Sequence, residues 1–168
     1  MSSPSYADYL KSFPDPAPSG SLNPIKVKAE DLTLPADAVL AGKVGAESRV
    51  LGHWDATGTV ATAHIDVPQS GWYRLKIRYC SGDSPTRSLL INGKVPFAEL
   101  DEFSLPPTVG TPPSDGWSNV SNDWRVAVLG ADQYSPGWKI FLNKGPCTLD
   151  LRNDQGGLNL DWLELSPA

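Results

Sequence analysis

Strict alternation of side-chain character constrains this chain more than any other feature, and it is clearest in residues 72–80 (WYRLKIRYC). Every odd-numbered residue from Tyr73 to Tyr79 is apolar, and these residues would share one face because side chains alternate across a strand. Turn-forming residues bound the segment at 68–71 (PQSG) and 81–85 (SGDSP). The combination predicts a β-strand with one face in a core.

The same pattern recurs along most of the chain. Shorter segments rich in β-favouring residues occur at 25–31, 59–67, 87–91, 95–100, 123–129, 138–142, 147–152 and 158–165. Asn92-Gly93 is a strong tight-turn signal, and the 15 Gly and 16 Pro favour many turns over long helices. We therefore predict an all-β fold, a β-sandwich or jelly roll of about nine or ten short strands. Residues 104–121 form a long loop, of the kind that often carries function.

The N-terminal residues differ from the rest. Residues 5–13 (SYADYLKSF) could form a short helix with Tyr6, Tyr9 and Phe13 on one face. Residues 14–24 are rich in Pro, Ser and Gly, which is typical of a linker. We therefore divide the chain into an N-terminal extension or linker, 1–24, and a β-sandwich domain, 25–168. The extension is either a tether to a neighbouring domain or a strap lying over the sandwich.

Charge and composition exclude some partners. A net charge of −5 gives no basic footprint for nucleic acid. No apolar run approaches the roughly 20 residues that a membrane-spanning helix needs. We therefore expect neither nucleic acid nor a membrane among the partners.

No catalytic motif is recognisable. His53 and His64 stand alone, no G-x-S-x-G elbow is present, and the acidic residues fall mainly at strand ends and turns. We therefore predict that the chain is not an enzyme. The alternative is a small enzyme on the same scaffold, which would need a deep pocket with two facing carboxylates.

The six Trp residues suggest a different chemistry. A sugar ring packs its apolar C–H face on an aromatic ring, and its hydroxyl groups need polar side chains nearby. Trp117 lies in a polar loop (SDGWSN, 114–119), which predicts an exposed ring, and Asn119 lies two residues beyond it. Trp54 also lies in a loop, where core capping and ligand stacking are equally plausible. Asn159 stands where the last strand begins, a position that usually holds a turn or cap residue.

Several stretches, taken in order, resemble the carbohydrate-binding modules of families 6 and 35. The matching stretches are KAED (28–31), VPQSGWYRL (67–75), LING (90–93), GW (116–117), LNKGPCTL (142–149) and GGLNLDWL (156–163). The resemblance covers about residues 25 to 166. It implies a β-sandwich of galactose-binding-like type with a sugar site in the loops at one end. By position, that site would use Trp54 or His53, together with Trp117, Asn119 and Asn159.

The resemblance also implies a structural calcium ion. The matching positions are Lys28, Glu30 and Asp161, of which Glu30 and Asp161 would be the metal ligands. Calcium takes about six to eight oxygen ligands, whereas Lys28 supplies none and adds a positive charge. We therefore hypothesise that Glu30 and Asp161 hold the Lys28 ammonium instead, since residues two apart on a strand share a face.

The function predicted from the sequence is a non-catalytic carbohydrate-binding module, lectin-like in action. It would hold an appended or partner enzyme on an oligo- or polysaccharide in a secreted or periplasmic setting. Residues 1–9 show no signal peptide. A domain excised from a larger secreted protein would show none either. The alternative is a structural or protein-interaction sandwich without a sugar site, which would have Trp117 buried in a closed loop end.

Overall fold

The computed structural model describes residues 3–14, 18–109 and 113–168 and shows two facing β-sheets. The strands are β1 Ile25–Lys28, β2 Val39–Ala41, β3 Val50–Gly52, β4 Val60–Val67, β5 Gly71–Cys80, β6 Thr86–Ile91, β7 Phe103–Ser104, β8 Arg125–Val128, β9 Ala131–Asp132, β10 Ser135–Pro136, β11 Ile140–Leu142, β12 Gly145–Gln155 and β13 Asn159–Pro167. The predicted β-sandwich is confirmed. No helix in the described part of the chain is long and apolar enough to cross a membrane.

The larger sheet is built around the antiparallel pair β5 and β13. Its order is β11-β5-β13-β3-β2, with β8 also on β5 and β1 also on β13. Asn159, the first residue of β13, lies opposite Cys80, the last residue of β5. The smaller sheet has the order β4-β12-β6-β7, and β9 and β10 form a separate hairpin.

The core lies between the sheets and follows the alternation of the sequence. Tyr73, Leu75, Ile77 and Tyr79 of β5 are fully buried, as predicted. Along β13 and the residue before it, the inward positions change phase, from Leu158 and Leu160 to Leu163 and Leu165. The pairing of β13 with β5 shifts register between Leu160 and Trp162, so Asp161 is the extra residue of a β-bulge.

Some element predictions were wrong. Residues 95–100 contain no strand: Ala98–Leu100 form a 3-10 helix, and the amide of Ala98 donates to the Pro4 carbonyl instead of a sheet. The first strand ends at Lys28, and Ala29–Asp31 form another 3-10 helix. The short strands β2, β3 and β7 and the β9–β10 hairpin were not predicted. They bring the described total to thirteen.

The N-terminal segment packs on the sandwich as a strap. Helix α1, Tyr6–Lys11, begins after the N-cap Ser5, whose side chain accepts a hydrogen bond from the Asp8 amide. Tyr9 is buried, with its ring centroid 4.9 Å from that of Phe97. Further along, the Gly20 amide donates to the Trp72 carbonyl. The described part of 3–24 therefore lies against the sandwich in this structure, and its role as a strap stays a prediction.

Candidate carbohydrate-binding site

A pocket of about 200 Å³ opens at the end of the sandwich where β5 ends and β13 begins. Its lining residues come from four separate segments of the chain: Lys43, Gly52, His53, Asp55, Trp117 and Asn159. Three of these, His53, Trp117 and Asn159, were predicted as site residues. The fold thus brings together residues that are far apart in the sequence, since Lys43 and Asn159 are separated by 116 positions.

Trp117 presents a partly open ring, since 37% of the residue is exposed. Another part of the indole packs on the backbone of Gly82 and Gly157, where a Cβ atom would collide with or crowd the ring. The Trp117 amide donates to Oδ1 of Asp115 at 2.9 Å. The expected exposure of Trp117 is confirmed, and its ring is held in place rather than swinging freely in solvent.

The loop that carries Trp117 is fixed by one buried carboxylate. Asp123 is fully buried and accepts hydrogen bonds from the amides of Gly116, Asn119 and Val120, at 3.3, 2.7 and 3.3 Å. Ser118, next to the ring, has a φ of 69°, a left-handed conformation that non-glycine residues seldom adopt. These bonds offset the cost of that conformation and set the direction of the Trp117 side chain.

Asn159 forms the polar wall at the base of the pocket and is 8% exposed. Its Nδ2 donates to Ser118 Oγ at 3.0 Å and contacts the Cys80 sulfur at 3.5 Å. These contacts orient the amide and leave Oδ1 on the side of Gly52. Burial raises the pKa of the Cys80 thiol, so this sulfur is a protonated packing group and not a nucleophile.

His53 and Trp54 have opposite roles. His53 is exposed, lines the pocket and has a φ of 57°. Trp54 is fully buried, with its Nε1 donating to Thr59 Oγ1 at 3.1 Å and the Arg87 guanidinium 4.2 Å from its ring centroid. The prediction of Trp54 as a stacking platform is therefore wrong, because its ring is fully buried and no face of it is open to a sugar. The alternative residue, His53, lines the pocket.

Asn119 does not line the pocket. Its Nδ2 donates to the Pro113 carbonyl at 2.9 Å, and its own amide donates to Asp123. The side chain closes the Trp117 loop on itself, and its role as a sugar ligand stays a prediction. Its contribution to the site is indirect, through the shape of the loop.

Lys43 and Asp55 were missed by the sequence reasoning. Asp55 follows His53 and Trp54 closely, so its position next to two predicted site residues was the available signal, whereas nothing near Lys43 in the sequence marks it.

Asp37 holds the loop that carries Asp55. The amides of Asp55 and Ala56 both donate to Asp37 Oδ2 at 2.8 Å. Burial is the largest single influence on the pKa of Asp37 and acts to raise it, but hydrogen bonds from the Ala56, Asp55 and Asp37 amides and the Thr59 side chain together lower it.

A buried arginine ties the end of β12 and the turn after it to the loop that carries His53 and Asp55. Arg87 is fully buried and donates to Asn153 Oδ1 at 2.9 Å and to the carbonyls of Gln155 and Gly156 at 3.1 and 3.0 Å. It also contacts the ring of Trp54, which adjoins His53. Burial lowers the pKa of Arg87 to about 10. The guanidinium stays charged at neutral pH and holds both loops.

The predicted calcium ligands do not fit a metal ion as they stand. Asp161 is fully buried, and its Oδ2 accepts a hydrogen bond from Arg78 Nη1 at 2.6 Å. Glu30 pairs instead with Arg49, at 3.6 Å. No group of three or more acidic, His or Cys side chains that could hold a metal occurs within residues 3–14, 18–109 and 113–168. Lys28 is exposed and bridges neither carboxylate, so the hypothesis that its ammonium replaces calcium is wrong.

The pocket lining offers binding groups rather than paired catalytic groups. Asp55 is the one carboxylate among the lining residues, and Lys43 is the one lysine. Glycosidic bond cleavage commonly uses two carboxylates on opposite sides of the bond. A half-open indole, an imidazole, an amide and two opposite charges instead match the face and the hydroxyl groups of one sugar unit.

Solved structures with this fold include carbohydrate-binding modules of families 6 and 35, the two families that the sequence resembles. A family 35 carbohydrate-binding module from Clostridium thermocellum aligns over 85% of this chain and 97% of its own, with a TM-score of 0.64 and 21% identity. A family 6 module of a Zobellia galactanivorans laminarinase aligns over 86% and 99%, with a TM-score of 0.63 and 21% identity. The chain has the fold of these modules. A scan against protein-family models found no match.

Two further matches are parts of larger proteins. A Paenibacillus cycloisomaltooligosaccharide glucanotransferase, solved with cycloisomaltoheptaose, aligns over 85% of this chain and 18% of its own, with a TM-score of 0.58 and 24% identity. A 1,6-alpha-glucosyltransferase of Sporosarcina globispora is 27% identical over an alignment of 182 positions that covers 94% of this chain. The chain spans only 12% of the length of that curated relative.

Proposed function

We propose that this chain is a non-catalytic carbohydrate-binding module that holds an appended enzyme on an α-1,6-linked glucan outside the cytoplasm. The observation that carries the proposal is the pocket itself, where the half-open Trp117 ring, His53 and the oriented amide of Asn159 converge. Trp117 stacks on the apolar face of one glucose unit. Asn159, Asp55 and Lys43 bond its hydroxyl groups.

The size and charge of the pocket support a single neutral sugar unit. Its volume of about 200 Å³ lies below the roughly 300–1,000 Å³ of pockets that hold drug-sized ligands. The single negative charge of Asp55 offsets that of Lys43 among the lining residues, so no net charge favours an acidic sugar. The α-1,6 linkage is supported by the names of the glucosyltransferase and the cycloisomaltooligosaccharide enzyme.

The alternative of a sandwich without a sugar site has less support. It expects a closed, apolar loop end with Trp117 buried, whereas this residue is 37% exposed. Attachment to an enzyme is supported by the small share, 18%, that the matching region makes up in the glucanotransferase chain. Weak binding at one pocket suffices for this role, because attachment raises the local concentration of enzyme on the polymer.

Calorimetric titration with isomaltotriose tests the proposal, with maltotriose and cellotriose as linkage controls. We expect Trp117→Ala to weaken binding by more than about tenfold, because stacking supplies much of the affinity of a shallow site. The melting temperature should change little, since the ring is partly solvated already. Tyr134→Ala is the matched control, because Tyr134 is an exposed aromatic residue, at 88%, outside the pocket lining.

Two results would contradict the proposal. Undiminished isomaltotriose binding by Trp117→Ala would remove Trp117 from the site. Binding of an acidic sugar in preference to all three neutral trisaccharides would leave the module in place but reject the glucan ligand.

A further inference from the structure

Three oxygen atoms from separate parts of the chain surround one guanidinium beside the pocket. Arg78, on β5, donates from Nη1 to Asp161 Oδ2 at 2.6 Å and to the Gly45 carbonyl at 3.1 Å. Its Nε lies 3.9 Å from Glu47 Oε2. Two carboxylates and a backbone carbonyl are the kinds of ligand that calcium selects. Here a side-chain cation lies among them.

Asp161 needs a counter-charge because it is fully buried. An ionised carboxylate without a partner is costly in a protein interior. The β-bulge at Asp161 places it out of step with its neighbours on β13, where it also accepts the Glu47 amide at 3.0 Å. Its other oxygen, Oδ1, is buried without a hydrogen bond to the described residues. Arg78 is the cation that compensates this charge.

A calcium ion and Arg78 would compete for the same place. An ion bound to Asp161 would lie within a few ångströms of the guanidinium, and like charges at that separation repel strongly in a partly buried site. Glu47 is also engaged elsewhere, since Trp162 Nε1 donates to its Oε2 and Lys26 Nζ lies 3.3 Å from its Oε1. The donor set is therefore already neutralised by side chains.

The same cluster fixes a wall of the sugar pocket. Lys43, which lines the pocket, lies two residues before Gly45 and four before Glu47. Besides Arg78, the loop is held by Trp124, whose Nε1 donates to the Val44 carbonyl at 2.8 Å. The Arg78 guanidinium lies 5.3 Å from the Trp124 ring centroid. Losing Arg78 would release the middle of this loop.

We propose that Arg78 is a resident cation that takes the structural role of a metal ion and positions the Lys43 loop, so that the domain folds and binds sugar without calcium. The part concerning sugar rests on the function proposed above. Arg78 acts here as a positioning residue, through Asp161, Glu47 and Gly45.

Thermal unfolding tests the cation directly and needs no sugar. The unmodified protein should melt at the same temperature in EDTA and in millimolar CaCl₂. Arg78→Gln should melt roughly 10 °C lower in EDTA, because it leaves Asp161 buried without its partner. Calcium should then restore at least about half of that shift, because the substitution removes the competing positive charge and adds a further oxygen ligand beside Asp161, Glu47 and Gly45.

Two variants separate the cation from a general loss of packing. Arg78→Lys keeps the charge and should lose less stability than Arg78→Gln, with no response to calcium. Arg74→Gln is the matched control, since Arg74 lies on the same face of β5 and donates to the Gly137 carbonyl rather than to a carboxylate. It should neither melt much lower nor respond to calcium. If Arg78→Gln folds only with calcium present, that result supports the proposal too.

The proposal is overturned if EDTA lowers the melting temperature of the unmodified protein and calcium restores it. It is also overturned if Arg78→Gln fails to respond to calcium, because Arg78 would then be an ordinary structural arginine.

Binding measurements test the positioning role separately. Arg78→Gln in EDTA should bind isomaltotriose about five- to tenfold more weakly, and this loss should shrink when Lys43→Ala is already present. An equal loss in both backgrounds would reject the link to Lys43. If the unmodified protein binds no isomaltotriose, the proposed ligand fails while the melting results still judge the cation.

Discussion

Gly157 controls the space between two of the residues that line the pocket. A Cβ atom at this position would lie 2.5 Å from Asp55 Oδ1 and 3.2 Å from Trp117 Cη2. The Asp55 carboxylate is exposed and can move, whereas the indole is held by its loop. We therefore expect Gly157→Ala to displace Asp55 from the ligand while the fold survives.

The expected result for Gly157→Ala is an affinity for isomaltotriose about tenfold lower, measured by calorimetry, with the free energy of unfolding changed by less than about 1 kcal/mol. Gly42→Ala is the control, because no atom lies within 4 Å of its added Cβ. Equal affinities for both variants would show that Asp55 does not contact the sugar.

The burial or exposure of single residues was predictable where the neighbouring residues in the sequence determine it. Trp117 stands among polar residues that offer nothing to pack on, so its exposure followed from the sequence. Trp54 has similar neighbours, but it is fully buried, and Arg87, which packs on its ring, belongs to another strand. Lys43 joins the site on a loop whose backbone carbonyls, at Val44 and Gly45, accept hydrogen bonds from the distant residues Trp124 and Arg78. Such convergence has no local signal.

At the scale of elements, the long strands were the predictable part. Strand β5 shows both the alternation and the flanking turns, and the structure has it at Gly71–Cys80. Strands β2 and β3 have three residues each, which is too short for a period of two to be recognised. The bulge at Asp161 did leave a trace, since the leucines of LNLDWLEL change phase between Leu160 and Leu163.

The N-terminal strap is a stabilising element on this structure, and its aromatic residues make that testable. Tyr9 packs against Phe13, Trp72 and Phe97, and its hydroxyl oxygen accepts a hydrogen bond from the Phe141 amide at 2.9 Å. Burial raises the pKa of the Tyr9 hydroxyl. We expect Tyr9→Ala to reduce the free energy of unfolding by about 3 kcal/mol, because a large buried ring leaves a cavity.

Urea denaturation measures that loss. Tyr134→Ala again provides the comparison and should cost less than about 0.5 kcal/mol, since its ring is exposed. A cost for Tyr9→Ala no larger than that of Tyr134→Ala would mean that the strap leaves the sandwich in solution, and that residues 1–24 behave as a linker after all.

At the scale of the whole molecule, the sandwich separates stability from recognition. The core lies between the sheets, while the pocket is assembled from loops and strand ends at one end. The buried groups Arg87, Asp123 and Arg78 connect the two, because each bonds loop segments that carry lining residues. Under the proposed function, loop substitutions are expected to change which sugar is bound while the core stays as it is.

The charge distribution of the whole molecule leads to a prediction about salt. The net charge is −5, yet Lys43 and Asp55 offset one another within the pocket. A neutral glucan bound by stacking and hydrogen bonds releases no counterions, so its affinity should change less than about twofold between 0.05 and 0.5 M NaCl. An acidic polysaccharide drawn to Lys43 would instead bind more weakly as salt rises. Calorimetric titration of isomaltotriose across that range tests the prediction. A steep salt dependence of isomaltotriose binding would contradict a site whose affinity comes from stacking and hydrogen bonds.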